Sequence, residues 1–242
     1  MANWNPWHGC KKYSEGCENC YVYRLDKKHG KDSTKVYKTT QFKAPIAKKR
    51  NGNYKITPGE IVYTCFTSDF FVDDADDWRQ DAWDMIRQRP DLNFLIITKR
   101  IKRFMDCIPK DWNDGYDNVE ICCTVENQKR ADERLPIFIN LPIKHKSIIC
   151  EPILTEIDLS KYLNENIRQV VVGGESGLEA RICSFDWILK IQKQCIEKEI
   201  SFYFKQTGAR FIKDNKYYRI KRKDQHTQAF KANINYKCEN IR

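Results

Sequence analysis

The 242-residue sequence has little glycine and proline and no long apolar run. Ten Gly and eight Pro beside 41% hydrophobic residues exclude collagen-like, low-complexity and largely disordered proteins. No stretch of eighteen apolar residues occurs, which predicts no transmembrane span and no membrane partner. The first ten residues, MANWNPWHGC, lack the apolar core of a secretory signal, so we expect a cytoplasmic protein with reduced or metal-bound cysteines.

Positive charge is abundant, with a net charge of +10, but it is unevenly spread. Residues 1–60 hold 13 Lys and Arg against 5 Asp and Glu, and residues 205–242 hold 11 against 3, while the middle is acidic. If the two ends meet in space, they offer a basic face for a phosphate backbone, although solvated lysines explain the charge equally well. Nucleic acid is favoured slightly by aromatic residues in the tail, namely Phe211, Tyr217, Tyr218, Phe230 and Tyr236.

Short apolar runs alternate with amphipathic stretches along the chain. The runs, each predicted to be a strand, are residues 61–66, 92–98, 119–125, 146–150, 168–174 and 200–204. The clearest predicted helices between them are residues 73–89, 126–138 and 185–199. Runs that are apolar on both faces are typical of a parallel sheet covered by helices.

This alternation predicts an α/β fold, a partial (β/α) barrel of six or seven parallel strands, in which a short strand before Cys10 is the seventh. A doubly wound open sheet is the alternative. We expect a catalytic barrel-type domain over residues 1–208 and a basic extension over 209–242, the latter a hairpin or cap. Residues 31–60 form a basic, polar excursion without strong periodicity.

Polar or ionic residues follow all six predicted strands. They are Thr67-Ser68-Asp69, Thr98-Lys99-Arg100, Glu126-Asn127, Glu151-Pro152, Gly173-Gly174-Glu175 and Lys205-Gln206. The carboxyl ends of parallel strands share one face of a β/α fold, where ligands bind, so the pattern predicts a single polar site there. Local roles are the alternative: Asp69 as a helix cap, Glu151 as a turn residue and the Gly-Gly pair as a tight turn.

Three cysteines lie close together with the spacing C-x6-C-x2-C: Cys10, Cys17 and Cys20. Three thiolates at this spacing predict a metal site, and a four-iron cluster on three cysteines keeps one iron open for another ligand. With His8 as a fourth ligand the same residues suit structural zinc, and unligated thiols are the third possibility. The other eight cysteines fall mostly within predicted strands or helices, where cysteine behaves as a small apolar residue.

A three-cysteine loop followed by repeated βα units resembles the radical S-adenosylmethionine (SAM) superfamily. Those enzymes bind a 4Fe–4S cluster, usually through C-x3-C-x2-C, and cleave SAM to a 5′-deoxyadenosyl radical that abstracts hydrogen from the substrate. The resemblance implies Cys10, Cys17 and Cys20 as cluster ligands, SAM as a second cofactor and an electron donor as a partner. The gap of six residues after Cys10 departs from the usual spacing.

Seven stretches in order resemble an uncharacterised, phage-associated family, the three-Cys-motif proteins. They are WNPWHGC with its cysteines, TSDFF, ITKR, TVENQKRADER, CEPIL, VVGGESG and FYFKQTG, which together cover residues 1–208. This resemblance implies the fold and the cofactor rather than the reaction, and it hints at a separately encoded partner protein.

Site roles follow from the radical SAM resemblance and from position along the chain. The amine-binding Gly-Gly-Glu segment of that superfamily follows the second strand, so its role is not assigned to Gly173-Gly174-Glu175, which comes much later. The resemblance implies that Ser68 and Asp69 contact the methionyl amine of SAM, and that Lys99 or Arg100 binds its carboxylate beside Thr98. Glu126 or Asn127 would hold the ribose hydroxyls. The implied catalytic residues, facing the substrate, are Glu151, Glu175 and Lys205.

The favoured function is therefore a radical SAM enzyme that modifies or repairs a nucleic acid or nucleotide. The competing function is a zinc-stabilised nucleic-acid-binding protein without redox chemistry, which explains the strand-end carboxylates poorly because they repel phosphate. A metal-free hydrolase is less favoured, since the four histidines form no recognisable nucleophile–base pattern.

Overall fold

The computed structural model of the chain describes residues 1–238. Its strands are β1 (Ala2–Trp4), β2 (Trp7–His8), β3 (Tyr37–Lys38), β4 (Ile61–Thr64), β5 (Asn93–Thr98), β6 (Val119–Thr124), β7 (His145–Cys150), β8 (Ile167–Gly173), β9 (Ile182–Ser184), β10 (Ser201–Gln206), β11 (Arg210–Lys213) and β12 (Lys216–Arg219). Seven of them form one parallel sheet in the order β1-β4-β5-β6-β7-β8-β10. This sheet matches a partial β/α barrel and confirms the predicted fold class.

All six predicted strands belong to this sheet, within two residues of their predicted bounds. The expected seventh strand is β1, which pairs in parallel with β4 so that Ala2 lies beside Val62. All residues of β6 but one are buried, and the same holds for β7, because both faces of the sheet are covered.

The helices are α1 (Tyr21–Lys28), α2 (Asp76–Arg87), α3 (Phe104–Cys107), α4 (Gln128–Phe138), α5 (Phe185–Glu197) and α6 (Gln225–Lys231). The three predicted helices appear as α2, α4 and α5. On α2, the side chains of Ala82, Trp83 and Ile86 are buried along one stripe. The helices α1, α3 and α6 were not predicted, since 8, 4 and 7 residues are too few to produce a clear apolar period.

One compact unit of the chain comprises residues 1–13, 22–122 and 142–145. An aromatic cluster fills its core, where the Trp83 ring lies 4.9 Å from Phe70 and 5.2 Å from Trp112 between centroids. Trp7 packs on Phe70 at 5.2 Å, and its indole N–H donates to the carbonyl of Asp69 at 3.1 Å. These contacts hold the start of the chain beside the loop that follows β4.

Residues 31–60 belong to this unit and contain little regular structure beyond β3 and the 3₁₀ turn Ala44–Ile46. The fully buried Arg89 holds the excursion in place. Its guanidinium donates to the carbonyls of Pro45 and Ile56 and lies 4.0 Å over the ring of Tyr54.

The second compact unit comprises residues 14–21, 123–141 and 146 onward. Here β11 and β12 form the antiparallel hairpin expected in the tail, and β11 also pairs in parallel with β9. Phe211 on β11 lies 6.3 Å from Phe204 and 6.0 Å from Phe185 between ring centroids, so the hairpin shares an aromatic core with β10 and α5. The separate extension over 209–242 stays a prediction, and its last four residues lie outside the described part of the chain.

Within residues 1–238, no helix is long and apolar enough to cross a membrane.

Candidate functional site

The eleven cysteines divide into two classes by exposure. Cys10, Cys17 and Cys20 are partly exposed, whereas the other eight are buried. Burial raises the pKa of Cys183 and of Cys195 to about 12, so these thiols stay protonated. The predicted ligands are therefore the cysteines that a metal ion or cluster can reach from solvent.

Cys10 sits in a turn whose backbone is tightly bonded within the first unit. Its N–H donates to the carbonyl of Ser33 at 2.7 Å, and the N–H of Gly9 donates to the carbonyl of Thr67 at 3.1 Å. Gly9 has a φ of +91°, and a Cβ there would lie 2.1 Å from the carbonyl oxygen of Lys35. Only glycine fits this position, so the residue before Cys10 is dictated by the turn.

Arg100 lies against Cys10 and is held there by the predicted strand-end residues. Asp69 accepts hydrogen bonds from the hydroxyl of Thr98 at 2.8 Å and from the N–H of Lys99 at 2.9 Å. The guanidinium of Arg100 lies 3.6 Å from Asp69 and 3.6 Å from the sulfur of Cys10. Arg100 is only 5% exposed, and its guanidinium, which also pairs with Asp69, presents a buried positive charge to the sulfur.

Further contacts fix this corner of the first unit. Arg100 donates to the carbonyl of Lys11 at 2.7 Å and lies 4.9 Å from the ring centre of Tyr13. The hydroxyl of Ser68 donates to the carbonyl of Gly9. Ser68, Asp69 and Arg100, all predicted to bind SAM, thus surround the turn that presents Cys10.

Cys17 and Cys20 lie on a loop of the second unit, residues 14–21, which contains the 3₁₀ turn Glu15–Cys17. The hydroxyl of Ser14 donates to the carboxylate of Glu126 at 2.6 Å. A Cβ on Gly16 would lie 2.5 Å from the Cγ of Glu126, so only glycine allows this approach. Glu126 is fully buried and forms an ion pair with Arg134 at 3.0 Å.

Helix α4 attaches the same loop a second time. The side chain of Asn127 caps the helix by accepting from the N–H of Arg130 at 2.9 Å. Arg130 then donates from two nitrogens to the carboxylate of Glu15, at 2.8 and 3.0 Å. The hydrogen bond from Arg130 is the main reason that the pKa of Glu15 falls from 4.5 to about 2.

Glu175, which follows β8, attaches the loop of Cys17 and Cys20 at a third point. Its carboxylate accepts from Asn19 at 3.1 Å and from Arg181 at 2.7 Å. Arg181 also donates to Glu18 at 2.9 Å and to the carbonyl of Glu15 at 2.9 Å. Burial is the largest single influence on the pKa of Glu175 and opposes ionisation, but the hydrogen bonds from Arg181 and Asn19 and the charge of Arg181 together lower the pKa, so Glu175 is a carboxylate at neutral pH.

Glu151 and Lys205 form an ion pair at the carboxyl ends of β7 and β10. The Lys205 ammonium lies 2.6 Å from one oxygen of Glu151, and the amide of Gln206 donates to the other at 2.7 Å. Beside them, a Cβ on Gly173 would lie 3.1 Å from Glu151, a tight contact that a larger residue could make only if the carboxylate shifted. Both charged groups are partly exposed and can contact a bound molecule.

The predicted site residues thus gather into local groups. In the first unit Cys10 contacts Arg100, which Asp69 and Thr98 position. In the second, Glu126 and Glu175 contact the loop of Cys17 and Cys20, while Glu151 pairs with Lys205. Their roles toward SAM and substrate remain predictions.

Sequence reasoning missed the arginines that neutralise the two buried carboxylates. Arg134 follows Glu126 by eight residues, and Arg181 follows Glu175 by six. Two residues of opposite charge predict an ion pair only when they lie three or four positions apart on a helix. Nothing in the sequence therefore marked either of these pairs.

Among residues 1–238, no group of three or more His, Cys, Asp or Glu side chains is arranged to hold a metal ion. Comparison with curated proteins and with solved structures finds no match. The family described as "Protein of unknown function (DUF5131)" matches residues 1–234, nearly the whole chain. The chain therefore belongs to the DUF5131 family, an uncharacterised one.

Proposed function

We propose that the protein is a radical SAM enzyme in which Cys10, Cys17 and Cys20 hold a 4Fe–4S cluster. The observation that carries the proposal is the exposure of the thiols: among eleven cysteines, the partly exposed ones are those of the C-x6-C-x2-C motif. Buried apolar roles account for the other eight. Resemblance to the radical SAM superfamily and to phage-associated proteins supports the same assignment.

The three cysteine thiols fit a 4Fe–4S cluster in number and in chemistry. Thiolates are the ligands of iron–sulfur clusters, and three of them leave one iron open to SAM. When bound, such a cluster supplies an electron that cleaves the sulfonium of SAM, and the resulting radical abstracts hydrogen from a substrate.

The chain's own residues prepare this chemistry on each side of the motif. Arg100 stabilises negative charge on the sulfur of Cys10 from 3.6 Å away. Glu126 and Glu175 fix the loop of Cys17 and Cys20 before any ligand arrives, which lowers the ordering entropy that binding costs. Ser68, Asp69, Thr98, Lys99 and Asn127 complete the proposed SAM contacts.

Glu151 and Lys205 are the proposed substrate-facing pair, with Glu175 beside the cysteine loop. The carboxylate of Glu151 and the ammonium of Lys205, 2.6 Å apart, can bind polar groups of a substrate and exchange a proton with those groups. We propose a nucleic acid or nucleotide as the substrate, because both ends of the chain are basic. We further propose a cytoplasmic electron donor as a partner, together with a separately encoded partner protein.

Zinc remains the second candidate because of one contact. The Nε2 of His8 lies 2.9 Å from the carboxylate of Asp26, which also accepts from Ser33 at 2.6 Å. A histidine oriented by a carboxylate is common at zinc sites. Zinc bound by His8 and the three cysteines would be structural, and the protein would then bind nucleic acid without redox chemistry.

The test is formation of 5′-deoxyadenosine by anaerobically reconstituted protein, with SAM and dithionite supplied. The wild type should form it, and Cys10→Ala, Cys17→Ala and Cys20→Ala should each abolish it. Cys238→Ser, at a buried cysteine outside the motif, is the matched control and should retain activity. His8→Ala should retain the cluster. Unchanged SAM cleavage by the triple cysteine variant refutes the proposal.

A further inference from the structure

A small three-stranded sheet in the second unit has one face that nothing described so far uses. Its strand order is β12-β11-β9. The register places Arg210 between Ile182 and Arg219 in one row. The next such row contains Ser184, Ile212 and Tyr217.

Alternation along the strands assigns these two rows to the outer face. Phe211 and Cys183, which lie between the rows, are 6% and 0% exposed and point into the core. Because successive side chains of a strand point to opposite faces, the residues on either side of Phe211 and Cys183 point outward. Tyr217 is 48% exposed and Ile182 is 42% exposed, as expected for that face.

The outer face is cationic and has no acidic member. Arg219 is exposed and has no ion-pair partner within residues 1–238. Arg210 donates to the carbonyl of Leu178 at 3.1 Å, a bond that leaves its charge unneutralised. More positive charge follows at once along the chain, in Lys221, Arg222 and Lys223.

We propose that this face, Ile182, Ser184, Arg210, Ile212, Tyr217 and Arg219, binds single-stranded nucleic acid. An exposed tyrosine with two arginines in the next row offers a ring on which a base can stack and cations that neutralise the adjacent phosphates. Duplex bases are stacked on each other and cannot lie on a tyrosine, so the face selects unpaired strands. Binding here needs no cluster, so this proposal and the proposed enzymatic activity can fail separately.

The experiment is fluorescence anisotropy of labelled oligothymidine and oligouridine, each about 12 nucleotides long, titrated with metal-free protein in EDTA. We expect binding that weakens with salt and a lower affinity for a duplex of equal length. Tyr217→Ala should weaken binding about tenfold, the usual loss of one stacked base, and Tyr217→Phe should restore it. Arg219→Ala should weaken binding and make the salt dependence shallower.

The matched control is Tyr203→Ala, which removes a tyrosine of similar exposure on β10, outside this sheet. It should bind as the wild type does, and thermal unfolding followed by circular dichroism should confirm that every variant folds. Equal binding by wild type, Tyr217→Ala and Arg219→Ala overturns the proposal. A loss of binding with Tyr203→Ala equal to that with Tyr217→Ala overturns it as well. Binding of a polyglutamate peptide as tight as the oligonucleotides, with the same loss in both variants, would assign the face to an acidic protein instead.

Discussion

Two buried carboxylates, Glu126 and Glu175, decide how the loop of Cys17 and Cys20 is held. Each has an arginine partner, Arg134 and Arg181, and each also accepts a hydrogen bond from the loop. A buried charge is tolerated only while its partners remain, so the four side chains stabilise the loop as a set. In the structure these contacts position the loop of Cys17 and Cys20.

Replacing Arg181 by leucine should therefore loosen the loop. Glu175, only 7% exposed, would keep Asn19 and one backbone N–H as donors but lose its counter-charge. We expect a loss of about 2 kcal/mol in the free energy of unfolding, below the cost for a fully buried pair because Arg181 is partly exposed. Urea denaturation measures it, and thiol labelling of Cys17 and Cys20 should become faster.

Arg222→Leu is the control for that substitution, since Arg222 is an exposed arginine of the same unit without an ion pair within residues 1–238. It should leave both stability and labelling rate unchanged. If Arg181→Leu matched this control, the loop would not depend on Glu175 and Arg181.

Glu15 makes the loop sensitive to acid in a defined range. Its pKa is about 2 in the folded protein against 4.5 ordinarily, so the unfolded chain binds the proton more readily. The stabilisation is complete above about pH 4.5 and declines as the pH falls toward 2. Arg130→Met removes the hydrogen bonds responsible and should flatten the decline of unfolding free energy between pH 5 and 3, roughly the range in which an ordinary Glu takes up its proton. If the unfolding free energy of the wild type and of Arg130→Met declined equally with pH, the hydrogen bonds from Arg130 to Glu15 would not be the cause.

At the scale of elements, helix α4 links the sheet to the cysteine loop. It begins directly after β6, where Asn127 caps it, and it carries both Arg130 and Arg134. The position of Asn127 at a strand end led to its predicted contact with the ribose of SAM. In the structure its side-chain oxygen is bound to the backbone N–H of Arg130, so stability is the property in which a change should appear first.

Asn127→Ala should cost about 1 kcal/mol of unfolding free energy, the usual loss for an N-cap, while Asn127→Asp keeps an acceptor and should cost little. Chemical denaturation of the two variants beside the wild type gives the comparison. A destabilised Asp variant, or an Ala variant as stable as the wild type, would rule out capping as the main role of Asn127.

For the whole molecule, the order and type of the main elements could be predicted because strands buried on both faces and amphipathic helices leave regular patterns. The clustering of polar residues at strand ends followed from the parallel topology, as the contact of Arg100 with Asp69 illustrates. Long-range partners could not be predicted: the pairing of Arg181 with Glu175, or of Asn19 with the same carboxylate, depends on how loops meet in space. The short helix α6 and strand β9 gave no periodic signal.

The most direct test of the central proposal is the metal content of the protein. After anaerobic reconstitution, iron and sulfide are counted and an electron paramagnetic resonance spectrum of the reduced protein is recorded with and without SAM. We predict roughly four irons per chain and a spectrum that changes when SAM is added, because one iron of a three-cysteine cluster is open to it. Bound zinc without iron, or an iron–sulfur spectrum that SAM leaves unchanged, would contradict it.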